Sequence, residues 1–252
     1  MRTLDCGPME YREALALQER LATGIAAGTE EETLLLLEHP AVYTIGRGGD
    51  GNNILDPTLP VERVNRGGDV TWHGPGQVVG YPLIDLGRRG RDLHCWLRFL
   101  EEVLIATLIV FHIEAYRITG QTGVWTAGGK IGFIGVGVRR WVTLHGFALN
   151  VCPDLAAYDR IHPCGLVGCP VTSMTKAAAI PFDPEKVSAV MRTEFQRLLD
   201  LLLPIREQPT AGATVACRQT VEHPGAKRFT PHPPALFPDD IPSPPLSLNM
   251  PA

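Results

Sequence analysis

The sequence predicts a mixed α/β (α+β) domain, and three segments of the chain carry that prediction. Residues 92–111 and 183–204 repeat apolar side chains at the helical period. Residues 122–151 are rich in Val, Ile, Phe and Trp with glycines at close intervals, which is typical of strands joined by tight turns. Together these segments predict a mixed β-sheet flanked by helices.

Composition narrows the class of protein. The chain has 252 residues, 44% hydrophobic and 20% charged, which is enough for one sizeable core. Its net charge of −4 gives no basic footprint, so we expect no nucleic-acid partner. No run of about 18 apolar residues occurs, and the first residues turn polar before a signal-peptide core could form. We therefore expect a cytoplasmic monomer with no membrane partner.

The first part of the chain is predicted to contain one helix and several short strands. Apolar residues at helical spacing over 9–22 predict a helix that ends at the breaker Gly24. Residues 33–47 predict a buried strand, an interruption before proline, and a second extended stretch. Residues 80–86, GYPLIDL, predict a further strand.

The longest predicted helix covers residues 92–111, with Asp92 as its N-terminal cap. Seven residues define its predicted apolar face: Leu93, Trp96, Leu97, Leu100, Leu104, Leu108 and Phe111. In the segment that follows, residues 122–151 predict at least three strands with a turn at Gly128-Gly129.

The last predicted helix begins at Pro184, with Asp183 as its cap, and ends at Pro204. Beyond it the composition changes, because ten of the 22 prolines lie between Gln208 and Ala252. Such a segment buries too little apolar surface to offset its ordering entropy. We therefore predict a domain over 1–206 followed by a mobile tail over 207–252.

Two glycine-rich segments differ in how much they predict. GRGGDG, residues 46–51, matches G-x-G-x-x-G but opens no helix, so it favours a flexible loop over a dinucleotide site. RGGDVTWHGPGQ, residues 66–77, contains several residues suited to binding a ligand. Arg66 supplies hydrogen-bond donors, the glycines let the backbone approach a ligand closely, and His73 lies where a strand enters a turn. That combination indicates a ligand site, with an ordinary Gly/Pro turn as the alternative.

Lys130 and His145 are further candidate residues. Lys130 follows the predicted tight turn and begins an apolar strand, where a solvated lysine is the common alternative. Gly132, Gly135 and Gly137 could leave a slot beside that strand. His145-Gly146 interrupts a continuous β pattern, which predicts a bulge or a close ligand approach.

Six cysteines occur without a C-x-x-C pair, so no disulfide framework is indicated. Cys164 lies between Pro163 and Gly165, a setting that presents a thiol at a sharp turn. A nucleophilic thiol needs a nearby cation or histidine, and Lys130, His73 and His145 are the candidates. Zinc bound by Cys164, Cys169 and His162 is an alternative whose spacing fits no standard site, and a plain turn is another.

Four ordered segments of this chain resemble the lipoyl(octanoyl) transferases, also called LipB or octanoyl-acyl carrier protein:protein N-octanoyltransferases. The segments are LLLLEHPAVYTIGR, RGGDVTWHGPGQVVGYPLIDL, GKIGFIGVGVRRWVTLHGFALNV and HPCGLVGCPVTSM, from residue 34 to 174. The resemblance implies a biotin/lipoate-protein ligase-like fold and an octanoyltransferase domain over 1–206. It implies no cofactor and no metal.

By matching motif, the resemblance implies Cys164 as the acyl-thioester nucleophile and Lys130 as its activator. Cys169 occupies a position at which the family requires no cysteine. The implied substrate-binding residues form three stretches: Arg66, Gly67, Gly68, Asp69, Val70, Thr71, Trp72 and His73; Phe133, Ile134 and Gly135; and Gly146, Phe147 and Ala148, to which we add the neighbouring His145.

The resemblance also implies the partners of the reaction. These are octanoyl-acyl carrier protein as donor, and lipoyl domains of 2-oxo acid dehydrogenase complexes and the glycine cleavage H protein as acceptors. Because carrier proteins are acidic, the arginines at 88, 89, 91, 139 and 140 are candidates for docking, or are simply solvated. The alternatives are an ATP-dependent lipoate or octanoate ligase and a non-catalytic module that docks lipoyl domains.

Overall fold

The computed structural model describes residues 1–206, and the predicted tail over 207–252 lies outside the described residues. A seven-stranded mixed sheet forms its centre, in the order β1-β2-β6-β10-β9-β8-β7. Its strands are β1 (Arg2–Pro8), β2 (Thr33–Glu38), β6 (Gln77–Leu83), β7 (Tyr116–Ile118), β8 (Gln121–Thr126), β9 (Gly129–Arg139) and β10 (Val142–Asn150). β1 is parallel to β2, and the other neighbouring strands are antiparallel.

A three-stranded sheet and four helices complete the described fold. The small sheet, in the order β4-β3-β5, contains β3 (Val42–Ile45), β4 (Val61–Arg63) and β5 (Val70–His73). The helices are α1 (Tyr11–Ala27), α2 (Leu93–Val110), α3 (Met174–Ala178) and α4 (Pro184–Leu202). None of the helices in residues 1–206 is long and apolar enough to cross a membrane.

The seven-stranded sheet separates two hydrophobic cores. One core joins the sheet to α2 and α4, with Trp96, Phe99 and Phe195 among its fully buried aromatic rings. The other joins the opposite face to α1 and the small sheet, through residues such as Leu21 and Trp72. The second core is where polar side chains also gather, so the chemistry of the molecule belongs to that face.

The predicted mixed α/β class and three of its elements are confirmed. Asp92 caps α2 by accepting from the Cys95 N–H, and Asp183 caps α4 by accepting from the Glu185 N–H. β8, β9 and β10 form the predicted three-stranded unit. The predicted interruption before Pro40 separates β2 from β3.

The predicted end of the first helix at Gly24 is wrong. α1 continues to Ala27 and ends at Gly28, whose φ of 73° is the left-handed conformation that suits a helix terminus. A glycine inside a helix costs only about 1 kcal/mol. Burial of Leu21 and Ile25 on either side of Gly24 offsets that cost, so the helix passes through it.

Two further predictions about exposure are wrong. Leu93 is 41% exposed, and residues 99–108 of α2 are buried on all sides because α4 covers the face turned away from the sheet. Arg89 is buried, with its guanidinium paired to Glu32 at 2.6 Å and to Asp200 at 3.0 Å. It therefore stabilises the fold and is unavailable for docking an acidic partner.

β1 was not predicted, and it contains only a weak apolar alternation at the edge of the sheet. Of the two alternatives predicted at His145-Gly146, a bulge or a close ligand approach, the bulge is wrong, because β9 and β10 keep their register there. The His145 backbone instead adopts a single left-handed conformation, with φ of 57°. This conformation directs the His145 N–H away from Pro82 of the neighbouring strand β6. The N–H instead donates a hydrogen bond to the side-chain oxygen of Gln18 at 2.8 Å.

Candidate active site

Cys164 is held in a strained turn. Its φ of 59° and ψ of 21° are left-handed, a conformation that costs about 1–3 kcal/mol for a residue other than glycine. The turn closes through a bond from the Gly165 N–H to the His162 carbonyl at 3.0 Å. A Cβ at Gly165 would lie 3.1 Å from a carboxylate oxygen of Asp69, so the turn packs tightly against the segment before β5.

Lys130 extends from the start of β9 and is buried, with 1% of its surface exposed. Its Nζ donates to the Thr122 carbonyl at 3.0 Å and lies 3.6 Å from the Cys164 Sγ. The same ammonium lies over the rings of Trp125 and Phe133, at 4.6 and 5.3 Å from their centroids. Within residues 1–206 no carboxylate forms an ion pair with Lys130. The Lys130 amine therefore has a backbone carbonyl and the Cys164 sulfur as its hydrogen-bond partners among residues 1–206.

The chain itself ties these two residues together. The Lys130 N–H donates to the Pro170 carbonyl at 2.8 Å, and the Lys130 carbonyl accepts from the Thr172 N–H at 3.0 Å. The segment that follows Cys164 is thereby fixed alongside the start of β9. Gly129 permits this approach, because its φ is 124° and a Cβ there would lie 2.4 Å from the Pro170 oxygen.

A cavity that is open to solvent lies beside Cys164, between the seven-stranded sheet and the small sheet. Its walls bring together three segments that are distant in sequence. Eleven of its lining residues were predicted as site residues: Arg66, Thr71, His73, Phe133, Ile134, Gly135, His145, Gly146, Phe147, Ala148 and Cys164. The other two are Tyr11 and Tyr81.

Two histidines of the cavity are held neutral by their burial. Desolvation lowers the pKa of His73 to about 3 and that of His145 to about 4. His73 donates through Nδ1 to the side-chain oxygen of Gln77 at 2.7 Å. Neutral imidazoles next to aromatic rings make a wall that tolerates an alkyl chain.

Three polar atoms of the cavity residues have no hydrogen-bond partner within residues 1–206: Nε of Arg66, Oγ1 of Thr71 and Nδ1 of His145. All three side chains are more than nine-tenths buried. The terminal nitrogens of Arg66 donate to the backbone and to the Thr44 hydroxyl, so the guanidinium is fixed in place. Buried polar atoms are rarely left unpaired, and these three indicate a ligand with a polar group.

Five predicted substrate-binding residues lie beside the cavity and do not line it. Gly67 and Gly68 bond to neighbouring backbone, Asp69 accepts from Asn53, and Val70 and Trp72 belong to the core. Their positions hold the loop that carries Arg66 and Thr71.

The three glycines predicted to leave a slot beside β9 do not all face the same side of the sheet. A Cβ at Gly135 would lie 3.0 Å from the Arg66 side chain, and one at Gly137 would lie 2.9 Å from the Asn65 carbonyl. Gly132 instead faces Leu104 of α2, on the opposite core. A close approach was also predicted at Gly146. The group that approaches it in the structure is the Gly80 backbone of the neighbouring strand β6.

Sequence reasoning missed Tyr11 and Tyr81 as cavity residues. Tyr11 is the first residue of α1, and Tyr81 lies within the apolar run of β6. Tyr11 lies outside the glycine- and histidine-rich segments, and the packing of α1 against the sheet brings it to the cavity. Tyr81 lies in RGGDVTWHGPGQVVGYPLIDL, but within a strand pattern that indicated only a core residue.

No group of three His, Cys, Asp or Glu side chains suited to a metal ion is present within residues 1–206. Cys169, an alternative metal ligand in the sequence, donates weakly from its Sγ to the Pro170 carbonyl at 3.7 Å. Burial raises the pKa of its thiol, an effect that nearby Lys130 partly offsets.

Comparison with known sequences identifies one matching family and two similar proteins, and they agree with one another. Residues 10–196 match the lipoyl protein ligase A/B catalytic domain family. An octanoyltransferase of Geobacter sulfurreducens is 58% identical over 209 residues, which cover 83% of this chain and 88% of the relative. An octanoyltransferase of Geobacter metallireducens is 58% identical over 207 residues, which cover 82% of this chain and 97% of the relative.

Comparison with solved structures agrees on the fold. An archaeal bi-partite lipoate protein ligase from Thermoplasma acidophilum superposes with a TM-score of 0.57 at 16% identity. The match covers 79% of this chain and 84% of that one. The likeness confirms the fold expected from the sequence, a mixed sheet flanked by helices as in the lipoate-protein ligases.

Proposed function

The chain belongs to the lipoyl(octanoyl) transferase family, which performs octanoyl transfer in lipoate synthesis, and we propose that it does so through a thioester on Cys164. The observation that carries this proposal is the distance of 3.6 Å between the Lys130 Nζ and the Cys164 Sγ, with the amine buried. An ammonium at that distance stabilises a thiolate, which is the nucleophilic form of cysteine.

In the first half of the reaction, the Cys164 thiolate attacks the carbonyl carbon of an octanoyl thioester. A C–S bond to the enzyme forms, and the C–S bond to the donor breaks. The donor leaves as a thiolate and takes a proton from the Lys130 ammonium, which becomes a neutral amine. One thioester replaces another, so this half is nearly isoenergetic.

In the second half, a neutral lysine amine of the acceptor attacks the carbonyl of the acyl-enzyme. A C–N bond forms, and the C–S bond to Cys164 breaks to regenerate the thiolate. The proton released by the attacking nitrogen passes to the Lys130 amine and restores the ammonium. A lysine can cycle a proton in this way whereas an arginine cannot.

Two unpaired hydrogen-bond donors of cavity-lining residues support this chemistry. The Arg66 Nε–H and the Thr71 hydroxyl lack partners within residues 1–206 and line the cavity that contains Cys164. We assign them to the carbonyl oxygen of the bound acyl group, where negative charge develops during attack. The apolar remainder of the cavity then holds the alkyl chain.

The proposed donor is octanoyl-acyl carrier protein, and the proposed acceptors are lipoyl domains of 2-oxo acid dehydrogenase complexes and the glycine cleavage H protein. The names of the relatives support an octanoyl donor. Residues 1–206 constitute the proposed catalytic domain, in line with the family match over residues 10–196.

The test is transfer to a purified lipoyl domain without ATP. Octanoyl-acyl carrier protein should support amide formation by the full chain, and Cys164→Ser should reduce the rate on the order of 10³-fold or more. Cys169→Ser is the matched control and should retain the rate. Full transfer by Cys164→Ser would contradict the nucleophile assignment. Product formation only from free octanoate and ATP would instead favour a ligase.

A further inference from the structure

The wall of the cavity opposite Cys164 consists of aromatic rings, two of which are fixed by hydrogen bonds. Tyr11, Tyr81 and His73 line the cavity there, and His39 lies behind them. The ring of Tyr11 stacks on His73 with centroids 6.3 Å apart, and it lies 5.2 Å from His39. These four side chains are each at most 8% exposed.

The protonation states of this cluster follow from its partners. The Met9 carbonyl can only accept, so the His39 Nδ1 donates to it, at 2.7 Å. The His39 Nε2 then accepts from the Tyr81 hydroxyl, also at 2.7 Å. Burial lowers the pKa of His39, which agrees with the neutral ring this chain of bonds requires. Tyr81 is thereby tied through His39 to Met9, two residues before the start of α1.

The position of the cluster relative to Cys164 follows from the order of the strands. Cys164 lies at the β9 side of the cavity, next to Lys130. Tyr81 follows Gly80 of β6, which pairs with Phe147 of β10, and β10 pairs in turn with β9. Two strand spacings, about 10 Å, separate β9 from β6 across the sheet. Phe133, whose ring lies 5.3 Å from the Lys130 Nζ, is level with Val79, so Tyr81 lies about 7 Å further along the strands and about 12 Å from Phe133 between backbones. An extended eight-carbon acyl chain measures about 9 Å if its bonds of about 1.5 Å form a zigzag.

We propose that Tyr11 and Tyr81 form the stop that limits the length of the acyl chain carried on Cys164. This inference rests on the proposed function and adds the residues that set its specificity. A chain with more carbons would have to displace two aromatic rings. The hydrogen bond from Tyr81 to His39, and the packing of Tyr11 against His39 and His73, resist that movement. A shorter chain would leave apolar wall uncovered.

The competing explanation is that the cluster only stabilises α1 against the sheet. A stabilising role would affect all acyl donors equally, because it would change only the fraction of folded enzyme. A length stop changes the ratio of products formed from donors of different length. The ratio is independent of the amount of folded enzyme, so it separates the two explanations.

The experiment is a competition among equimolar hexanoyl-, octanoyl-, decanoyl- and dodecanoyl-acyl carrier protein, with a lipoyl domain as acceptor and intact mass of the product as readout. Tyr11→Ala and Tyr81→Ala should each raise the ratio of decanoyl to octanoyl product by about tenfold or more. Tyr11→Phe keeps the ring and should keep the octanoyl preference. Leu17→Ala, on the same helix but outside the cavity lining, controls for loss of stability.

An unchanged product ratio in active Tyr11→Ala and Tyr81→Ala proteins would overturn the proposal. If either alanine variant does not fold, Tyr11→Leu and Tyr81→Leu preserve more of the packing and carry the same expectation with a smaller shift. A wild-type chain that transfers none of the four acyl groups would instead contradict the proposed function. The two failures are therefore distinguishable.

Discussion

Cys164 and Cys169 lie five positions apart on one segment, yet their surroundings differ. Cys164 lines the cavity, has a left-handed backbone and lies 3.6 Å from the Lys130 Nζ. Cys169 is bonded weakly to a backbone carbonyl, and burial raises the pKa of its thiol. Under the proposed function, a shared segment and a nearby lysine are therefore not enough to make a thiol the nucleophile. The thiol must also line the cavity proposed to hold the acyl chain.

The largest predicted effect removes the ability of Lys130 to give up and take back a proton beside Cys164. Lys130→Arg keeps the positive charge but cannot release a proton near neutral pH, so turnover should fall about 10²-fold or more. The measurement is the steady-state rate of octanoyl transfer. Lys176→Arg, at an exposed position of α3, is the matched control and should keep the wild-type rate. Unchanged turnover in Lys130→Arg would contradict the proton-cycling role.

A second prediction disturbs the pairing that fixes the segment of both cysteines. Gly129→Ala forces a Cβ to 2.4 Å from the Pro170 oxygen, so Lys130 and Cys164 should shift apart and kcat should fall about 10–100-fold. Gly28→Ala is the control, because it places the same side chain at a left-handed residue with open space around it. Equal kcat values in the two variants would show that the pairing does not position the site.

The third prediction concerns an unpaired hydrogen-bond donor of the cavity that Cys164 lines and Cys169 does not. Thr71→Val removes an unpaired buried hydroxyl, so kcat/KM should fall about tenfold while the free energy of unfolding stays the same or rises. Thr175→Val removes another unpaired hydroxyl outside the cavity lining and should change neither quantity. A parallel loss of activity and stability in Thr71→Val would indicate a structural role instead.

The smallest predicted effect is on stability and comes from the neutral histidines of the cavity. The pKa of His73 falls from 6.5 in the unfolded chain to about 3 in the folded protein, so the unfolded state binds more protons between these values. The contribution of His73 to the free energy of unfolding is therefore fully present above pH 6.5 and is lost as the pH falls toward 3. Between pH 7 and 5.5, His73 should account for about 1 kcal/mol of the loss.

The pH prediction is tested with His73→Gln, measured by denaturant unfolding at both pH values. The variant lacks the titrating ring, so its stability should change less with pH than that of the wild type. Equal slopes in the two proteins would show that the ring is not held neutral by burial.

Much of the fold was predictable because its signals are local. The caps Asp92 and Asp183, the period of α4 and the glycine turn before Lys130 are each determined within a few residues. Gly24 misled the prediction, because burial of its neighbours outweighs a small helix propensity. Tertiary burial of this kind cannot be read from a single segment.

The candidate site was predictable only in part, for a related reason. The motifs at Arg66, Lys130 and Cys164 marked three distant segments, and the structure brings them to one cavity. Tyr11 carries no motif and reaches the cavity through the docking of α1, whereas Tyr81 lies in a strand that the sequence marks only as apolar. Arg89 resembled its exposed neighbours in sequence, yet Glu32 and Asp200 draw it into the fold.

The most direct measurement of the central claim is the mass of the acyl-enzyme. After incubation with octanoyl-acyl carrier protein and no acceptor, the full chain should gain one octanoyl group, and peptide mapping should place it on Cys164. Cys169→Ser should gain the same group, and Cys164→Ala should gain none. An adduct that persists in Cys164→Ala, or that maps to Cys169, would contradict the account.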